Sequence, residues 1–286
     1  MSAAERVTVV EVGPRDGLQN EAAAVPAADK VRLVEALAAA GLPVVEVTSF
    51  VSPRAVPQLA DADEVLPAVR RRKGVRYPVL VPNLRGMERA EAAGADAIAV
   101  FTAASEGFAA ANVNMTIAES LRAFAPVMER ALHAGMWTRG YVSTAFGCPY
   151  DGPVEPAAVA QVAGELAALG CAEVSIGDTI GVARPEQVPA VVAAVAERVP
   201  LDRIALHLHD TGGRALENVA AGLAAGVRTF DASAAGLGGC PFAPGAPGNV
   251  ATEALVRFLD REGFETGVDP DAVEQAGIAV RRRLAA

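Results

Sequence analysis

Residues 7–41 read VTVVEVGPRDGLQNEAAAVPAADKVRLVEALAAAG and contain one complete strand-and-helix unit. The run at 7–13 is apolar and rich in valine, which predicts a buried strand. The run at 27–40 is rich in alanine and leucine and predicts a helix, and Gly41 follows it where glycine commonly ends a helix. The connection holds Gly-Pro-Arg-Asp-Gly at 13–17, which is neither a dinucleotide-binding nor a phosphate-binding glycine loop. This unit therefore predicts a parallel sheet that is covered by helices but lacks a nucleotide loop.

The same unit repeats along the whole chain. Seven more strands are predicted at 44–50, 77–82, 97–103, 139–145, 173–179, 203–209 and 229–235. The helices predicted between and after them lie at 60–72, 85–93, 116–134, 156–169, 186–198, 214–225 and 250–262, and one extra C-terminal helix is predicted at 269–284. Eight such units in 286 residues favour a TIM (β/α)8 barrel over an open doubly wound sheet. Because no linker or shift in composition interrupts the pattern, we expect a single α/β barrel domain over 1–286.

Composition argues against several functional classes. A formal net charge of −9 disfavours binding to nucleic acid or to anionic membranes. The longest stretch without a formal charge, at 232–252, is interrupted by many glycines and prolines, so it predicts a loop and not a membrane span. Three cysteines cannot form a closed set of disulfides, which favours a reducing, cytoplasmic setting.

Polar residues gather where the predicted strands end. In a TIM barrel the carboxyl ends of the strands form the active-site face. The candidates at these positions are Arg15, Asp16, Gln19, Glu46, Ser49, Asn83, Tyr141, Ser143, Ser175, Asp178, His207, His209, Asp210, Cys240 and Asn249.

His207 and His209 are two residues apart in the seventh predicted strand, so their side chains face the same side. Two neutral imidazoles on one face form half of a divalent-metal site, although hydrogen bonding in the core is the plainer alternative. Asp16 and Asn249 are well placed to add oxygen ligands. This mixed donor set suits Mg²⁺ or Mn²⁺, and it leaves Zn²⁺ or Co²⁺ open.

Two further residues suggest chemistry beside that metal. Cys240 lies in the flexible run GLGGCP at 236–241, where it is a candidate acid, base or nucleophile, or else an incidental exposed thiol. Arg15 precedes Asp16 and can stabilise an enolate or carbonyl oxygen, or else form a salt bridge across the barrel mouth. Cys148 and Cys171 are expected to be packing residues.

These motifs resemble those of the 3-hydroxy-3-methylglutaryl-CoA (HMG-CoA) lyase family, within a wider group of metal-dependent barrel lyases and condensing enzymes. The resemblance covers nearly the whole chain, and the GLGGCP loop is its most specific part because condensing relatives do not usually carry it. The matching stretches are EVGPRDGLQNE at 11–21, EVTSFVSPRAVP at 46–57, YPVLVPN at 77–83, RGYVSTAFGCPY at 139–150, SIGDTIG at 175–181, HLHDT at 207–211, AGLGGCP at 235–241 and GNVATE at 248–253.

The resemblance implies a role for each matching residue. Arg15 would stabilise the enolate oxygen of the departing acetyl-CoA, Cys240 would be the catalytic thiol, and Glu46 would be a carboxylate of the catalytic site. The implied metal ligands are Asp16, His207, His209 and Asn249. The implied supporting or substrate-binding residues are Asp178, Gln19, Tyr141, Ser49, Ser175 and Glu253.

The implied reaction is a retro-Claisen cleavage of HMG-CoA, or a close analogue, into acetyl-CoA and acetoacetate. The metal would bind the substrate and lower the pKa of its hydroxyl, and the first base would be either Asp178 or a water molecule on the ion. The resemblance further implies an acyl-CoA substrate, a homodimer, and a place in leucine degradation or ketone body metabolism.

One departure leaves the acyl group open. Many family members carry Tyr-Gly-Gln after the His-Asp-Thr motif, whereas this chain has Gly212-Gly213-Arg214. The loss of an aromatic ring there is expected to enlarge the pocket, so another 3-hydroxy-3-alkylglutaryl-CoA or citramalyl-CoA remains an alternative substrate. A condensing synthase that uses acetyl-CoA and a 2-oxo acid is a second alternative, and a barrel that binds an acyl-CoA or metal without turnover is a third.

Overall fold

The protein is described by a computed structural model that covers residues 5–238 and 248–284. Eight parallel strands form the sheet, and each predicted strand is confirmed with its ends shifted by a few residues. The strands are β1 (Thr8–Glu11), β2 in two segments (Val44–Val45 and Thr48–Ser49), β3 (Val79–Leu80), β4 (Ala97–Ala103), β5 (Trp137–Ser143), β6 (Glu173–Asp178), β7 (Ile204–Leu208) and β8 (Thr229–Ala232).

The sheet closes on itself because the two segments of β2 lie at its two ends. The first segment pairs with β1, the second pairs with β3, and all other neighbours follow chain order up to the pairing of β8 with β1. Backbone hydrogen bonds join the gap: Glu46 donates to Glu11 at 2.8 Å and Val47 donates to Pro78 at 2.9 Å. The predicted (β/α)8 barrel is therefore confirmed.

Helices cover the outside of the barrel. Their bounds are α1 (Ala27–Ala39), α2 (Ala62–Ala68), α3 (Leu84–Ala92), α4 (Glu106–Val113), α5 (Ile117–His133), α6 (Pro156–Ala168), α7 (Val188–Ala196), α8 (Ala215–Ala224), α9 (Thr252–Arg261) and α10 (Pro270–Leu284). Helix α4 was not predicted, because SEGFAAANVN carries no clear helical period of apolar residues. The predicted C-terminal helix is confirmed as α10, which packs on α1 and α9.

The apolar core lies between the strands and the helices, while the inside of the barrel is polar. Arg139 on β5 contacts Asp231 on β8, and Tyr141 on β5 contacts Glu46 of β2. Strands β5 and β8 are separated by two other strands, so these side chains can meet only across the interior of a closed barrel. The fold thus brings charged groups from distant parts of the chain together beneath the carboxyl ends of the strands.

No helix in residues 5–238 or 248–284 is both long enough and apolar enough to cross a membrane.

Candidate active site

The chain turns sharply after β1, and this turn places two site residues. Residues Gly13–Gly17 form a short π-helical turn in which the backbone N–H groups of Arg15 and Asp16 both donate to the carbonyl of Val12, at 3.1 and 2.7 Å. A Cβ atom on Gly17 would lie 2.9 Å from the Cβ of Leu237, so glycine permits the close approach of the loop after β8. The turn leaves Arg15 and Asp16 pointing into the barrel mouth.

Asp16, His207 and His209 converge as the sequence predicts. One ligand atom from each side chain lies within 4.8 Å of the others. The Nε2 atoms of the two histidines are 3.1 Å apart, and Nε2 of His207 is 3.9 Å from Oδ2 of Asp16. Two nitrogen ligands that each lie about 2.1 Å from one ion have a comparable separation when they are neighbours in its shell. The donor set therefore fits a divalent metal ion.

Asn249, the fourth expected ligand, lies beside this cluster. Its backbone pairs with that of His209, and its side-chain Nδ2 donates to Oδ2 of Asp16 at 2.9 Å. Ligation would use the amide oxygen, so it requires the amide to rotate from this orientation. Gln19 also donates to Asp16, through Nε2 to Oδ1 at 3.1 Å, and it lines the cavity as expected.

The electrostatics of the cluster set the protonation states of Asp16 and His209. Burial by itself would raise the pKa of Asp16, but the charges of Arg15 and the two histidines outweigh it and hold that pKa at about 2. Burial, together with the neighbouring His207, lowers the pKa of His209 to about 4. At neutral pH, Asp16 is therefore an anion and His209 is a neutral imidazole, which are the forms that bind metals.

Arg15 forms the salt bridge that the sequence left open, and it also faces the cavity. Its Nε donates to Oε2 of Glu46 at 2.8 Å, and its Nη1 donates to Oδ1 of Asp16 at 2.6 Å. A guanidinium carries five N–H groups, so donors remain for a substrate oxygen. Burial raises the pKa of Glu46 in spite of Arg15, and the Tyr141 hydroxyl donates to the same Oε2 at 3.0 Å. Arg15 is thus a fixed cation whose position is set by two carboxylates.

Asp178 is not brought to the cavity wall. Its two carboxylate oxygens accept the backbone N–H groups of Val182 at 2.9 Å and Ala183 at 3.0 Å, and burial raises its pKa to about 6. Alternation along β6 explains this, because Ser175 and Gly177 occupy the opposite face of the strand. A catalytic role for Asp178 stays a prediction, and the geometry favours a role in holding the loop after β6.

Three other expected residues lie behind the site. Ser175 donates to Oδ2 of Asp231 at 2.9 Å. Glu253 accepts the backbone N–H of Ala235 at 2.9 Å and so supports the turn after β8. Ser49 is fully buried, and its hydroxyl donates to the carbonyl of Leu80 at 3.4 Å. Their substrate contacts stay predictions.

Two of the three cysteines lie in the described part of the chain, and both are buried as expected for packing residues. Cys148 and Cys171 are buried free thiols, and Cys148 accepts backbone N–H groups from Tyr150 and Asp151 at 3.3 Å. Cys240 lies outside the described residues.

A cavity of about 710 Å³ opens beside the cluster. The Asp16–His207–His209 cluster forms part of its wall, and apolar side chains from the loop after β2, from β4, α4 and α5 and from the loop between α4 and α5 form another part. The polar lining residues near the cluster are Arg15, Asp16, Gln19, Tyr141, His207 and His209, other polar ones include Asn83, Asn112, Ser120 and Ser143, and the apolar ones include Val51, Val56, Phe101, Phe108, Val113, Met115 and Phe124. This mixed lining suits a ligand that carries both polar and apolar groups.

Sequence reasoning missed Glu11, Arg139 and Asp231, which are all fully or almost fully buried. One signal was present, since Arg139 and Tyr141 are two apart in β5 and Asp231 is a carboxylate in a strand otherwise made of apolar and small residues. A charged residue inside a strand requires a partner, but the partner's identity is not readable from one strand.

Comparison with known proteins gives a consistent result. A family model described as HMGL-like matches residues 6–280. The chain is 51% identical over 277 residues to the "3-hydroxy-3-isohexenylglutaryl-CoA/hydroxy-methylglutaryl-CoA lyase" of Pseudomonas aeruginosa, which covers 97% of this chain and 92% of the relative.

Two solved structures extend the similarity to three dimensions. The HMG-CoA lyase from Brucella melitensis is 54% identical with a TM-score of 0.97, and the match covers 99% of this chain and 100% of that one. An HMG-CoA lyase from Acinetobacter baumannii, in complex with coenzyme A and 3-methylmalate, is 39% identical with a TM-score of 0.94 over 100% of this chain and 93% of that one.

Proposed function

Because this chain belongs to the HMGL-like family, we propose that it is a metal-dependent carbon–carbon lyase that cleaves HMG-CoA into acetyl-CoA and acetoacetate. The observation that carries the proposal is the convergence of Asp16, His207, His209 and Arg15 at one end of a single cavity. Relatives that carry the lyase name and are about half identical over nearly the whole chain support it.

Asp16, His207 and His209 would hold the ion, with Asn249 as a fourth ligand. A divalent ion bound there would polarise the substrate hydroxyl and lower its pKa. We propose Mg²⁺ or Mn²⁺ because carboxylate and amide oxygens complete the donor set. Zn²⁺ and Co²⁺ are alternatives because the two imidazoles also suit them.

The cleavage requires one proton to leave and another to arrive. A base removes the proton of the 3-hydroxyl, the oxygen electrons form the ketone of acetoacetate, and the bond between carbons 2 and 3 breaks. The electron pair of that bond stays with acetyl-CoA as its enolate, and an acid then protonates carbon 2. Arg15 is placed to stabilise the enolate oxygen, since it is buried, charged and part of the cavity wall. Cys240 is the proposed acid.

A second candidate is a lyase for a substrate with a longer substituent on carbon 3. The apolar wall formed by Phe101, Phe108, Met115 and Phe124 favours it, and the P. aeruginosa relative carries both activities in its name. Gly212 does not contribute to this candidate, because it is exposed and lies outside the cavity wall.

Several finer features belong to the same proposal. An acyl-CoA substrate is supported by the relative that was solved with coenzyme A, and the free thiols of Cys148 and Cys171 fit a reducing, cytoplasmic setting. A homodimer, and a place in leucine degradation or ketone body metabolism, follow from the family resemblance.

A substrate panel tests the proposal. The purified protein is stripped with chelator, reloaded separately with Mg²⁺, Mn²⁺, Zn²⁺ or Co²⁺, and given HMG-CoA, 3-hydroxy-3-isohexenylglutaryl-CoA or citramalyl-CoA. We expect acetyl-CoA and acetoacetate from HMG-CoA only after reloading. Faster product formation from acetyl-CoA and 2-oxo acids would instead support a synthase, and no cleavage of any glutaryl-CoA ester would support a binding protein.

A further inference from the structure

A buried carboxylate lies behind one of the two candidate metal-binding histidines. Nδ1 of His207 is 3.2 Å from Oδ2 of Asp231, while Nε2 of the same ring faces His209 and Asp16. We infer that Asp231 is a positioning residue that accepts the Nδ1–H of His207 and thereby leaves the Nε2 lone pair free to bind the metal. This inference rests on the metal site of the proposed function.

The surroundings of Asp231 require it to be an acceptor. Arg139 donates to both of its oxygens, through Nη1 to Oδ2 at 3.0 Å and through Nη2 to Oδ1 at 2.5 Å, and Ser175 donates to Oδ2 at 2.9 Å. An ionised carboxylate has no proton to give, so a ring nitrogen beside it must carry the hydrogen. The tautomer of His207 is therefore set by a charge that Arg139 stabilises.

Arg139 is itself held in one position. Its Nε donates to Glu173 at 2.7 Å, and its Nη1 also donates to the Tyr141 hydroxyl at 2.8 Å. Its side chain is fully buried, so these protein partners take the place of water around it. A guanidinium fixed by four hydrogen bonds keeps the Asp231 carboxylate from turning away from His207.

The same hydrogen bonds continue to the other metal ligand. Tyr141 donates to Glu46, Glu46 accepts from Arg15, and Arg15 donates to Asp16. One chain of hydrogen bonds thus joins His207 on β7 to Asp16 after β1 through the barrel interior. This network therefore links two candidate ligands from strands at different places in the barrel, independently of any bound metal.

His209 differs from His207 in this respect. In the part of the chain that the structure describes, no carboxylate contacts its Nδ1 atom. Among the described residues, the carboxylate contact at Nδ1 is therefore a feature of His207 and not of His209.

The tautomer of His207 is measured directly in the metal-free wild-type protein. Nitrogen-15 NMR at pH 8.5 suits this chain, because it has three histidines and His133 is exposed on α5. We expect the proton of His207 on Nδ1 and an unprotonated Nε2. A proton on Nε2 in the wild type overturns the inference, and this measurement does not depend on whether any variant folds.

A matched pair of variants tests the consequence for metal binding. Asp231→Asn keeps the shape but removes the charge, and we expect its Mn²⁺ affinity, measured by chelator competition, to fall about 10- to 100-fold. We also expect the proton of His207 to be shared between both nitrogens. Asp63→Asn makes the same substitution in an exposed salt bridge to Arg89 away from the cavity, so it should keep the wild-type tautomer and affinity.

The outcomes separate this inference from the proposed function. Folded Asp231→Asn protein that binds Mn²⁺ within twofold of the wild type, or an Asp63→Asn variant that weakens binding as much, overturns the role of Asp231. If the tautomer and affinities behave as expected but HMG-CoA is not cleaved, the metal site stands and the proposed reaction fails.

Discussion

Glu11 lies at the end of β1 and joins three separated parts of the chain from a fully buried position. Its Oε1 accepts the backbone N–H groups of Gly13 at 2.8 Å and Ala234 at 2.9 Å, and its Oε2 accepts the Thr252 hydroxyl at 2.7 Å. Burial raises its pKa to about 7, because these hydrogen bonds only partly offset the loss of hydration. We predict that the free energy of unfolding of Glu11→Gln, taken relative to the wild type at the same pH, is higher at pH 8 than at pH 5.

The sign and size follow from proton linkage. The unfolded chain releases this proton near the ordinary pKa of 4.5, so between 4.5 and about 7 the folded state binds more protons than the unfolded state. The free energy of unfolding of the wild type therefore falls as pH rises through that window. Each pKa unit corresponds to about 1.4 kcal/mol, so ionisation of Glu11 lowers the free energy of unfolding by about 3 kcal/mol in total. Roughly 2–3 kcal/mol of this loss falls between pH 5 and pH 8.

Glutamine avoids this penalty while keeping the contacts. Its carbonyl oxygen can accept from Gly13 and Ala234, and its amide can donate to the hydroxyl oxygen of Thr252. Because the variant cannot ionise, its stability relative to the wild type should improve by about 2–3 kcal/mol from pH 5 to pH 8.

Urea unfolding at pH 5, 6.5 and 8 measures this difference. The matched control is Glu119→Gln on α5, where the backbone and side-chain hydrogen bonds of Thr116 lower the carboxyl pKa, so this group titrates below pH 4.5 and the stability of the variant relative to the wild type should hardly change between pH 5 and pH 8. Taking each variant relative to the wild type cancels the titration of all other groups. A Glu11→Gln difference that is equal at pH 5 and pH 8 would refute the reasoning.

Three further predictions concern catalysis and metal binding. Arg15→Lys should lower kcat/KM for HMG-CoA cleavage about 10²- to 10³-fold, because an ammonium lacks the planar fork with which the guanidinium contacts Glu46, Asp16 and an enolate oxygen together, and an unchanged kcat/KM would contradict this role. His209→Ala should abolish metal retention after dialysis, and unchanged metal content by elemental analysis would contradict its assignment as a ligand. Cys240→Ser should slow turnover by orders of magnitude with metal still bound, whereas near-normal turnover would remove its role as the acid.

Much of the architecture is predictable from local patterns. Apolar runs such as 7–13 alternate with alanine-rich helices, and that alternation identifies all eight strands. Glycines that end helices are equally readable, as Gly41 shows with a φ of +100°. Helix α4 was not predicted because its eight residues lack the amphipathic spacing by which a helix is recognised in a sequence.

Local patterns likewise predict some of the site residues and not others. His207 and His209 are predictable partners because residues two apart in a strand share a face, and that geometry is local. Asp178 was harder to place from the sequence. It follows Gly177, which lines the cavity, by one residue in β6, so its carboxylate lies on the opposite face of the strand.

The repeat of strands and helices, and the residues able to bind a metal or an enolate, were determined by the sequence alone. The pairing of charged side chains inside the barrel, by contrast, depends on the tertiary structure. Arg139 and Asp231 are 92 residues apart and belong to strands that are not neighbours, so nothing in either strand identifies the other. A buried charge is stable only with a partner of opposite sign, and closure of the barrel is what places that partner within hydrogen-bonding distance.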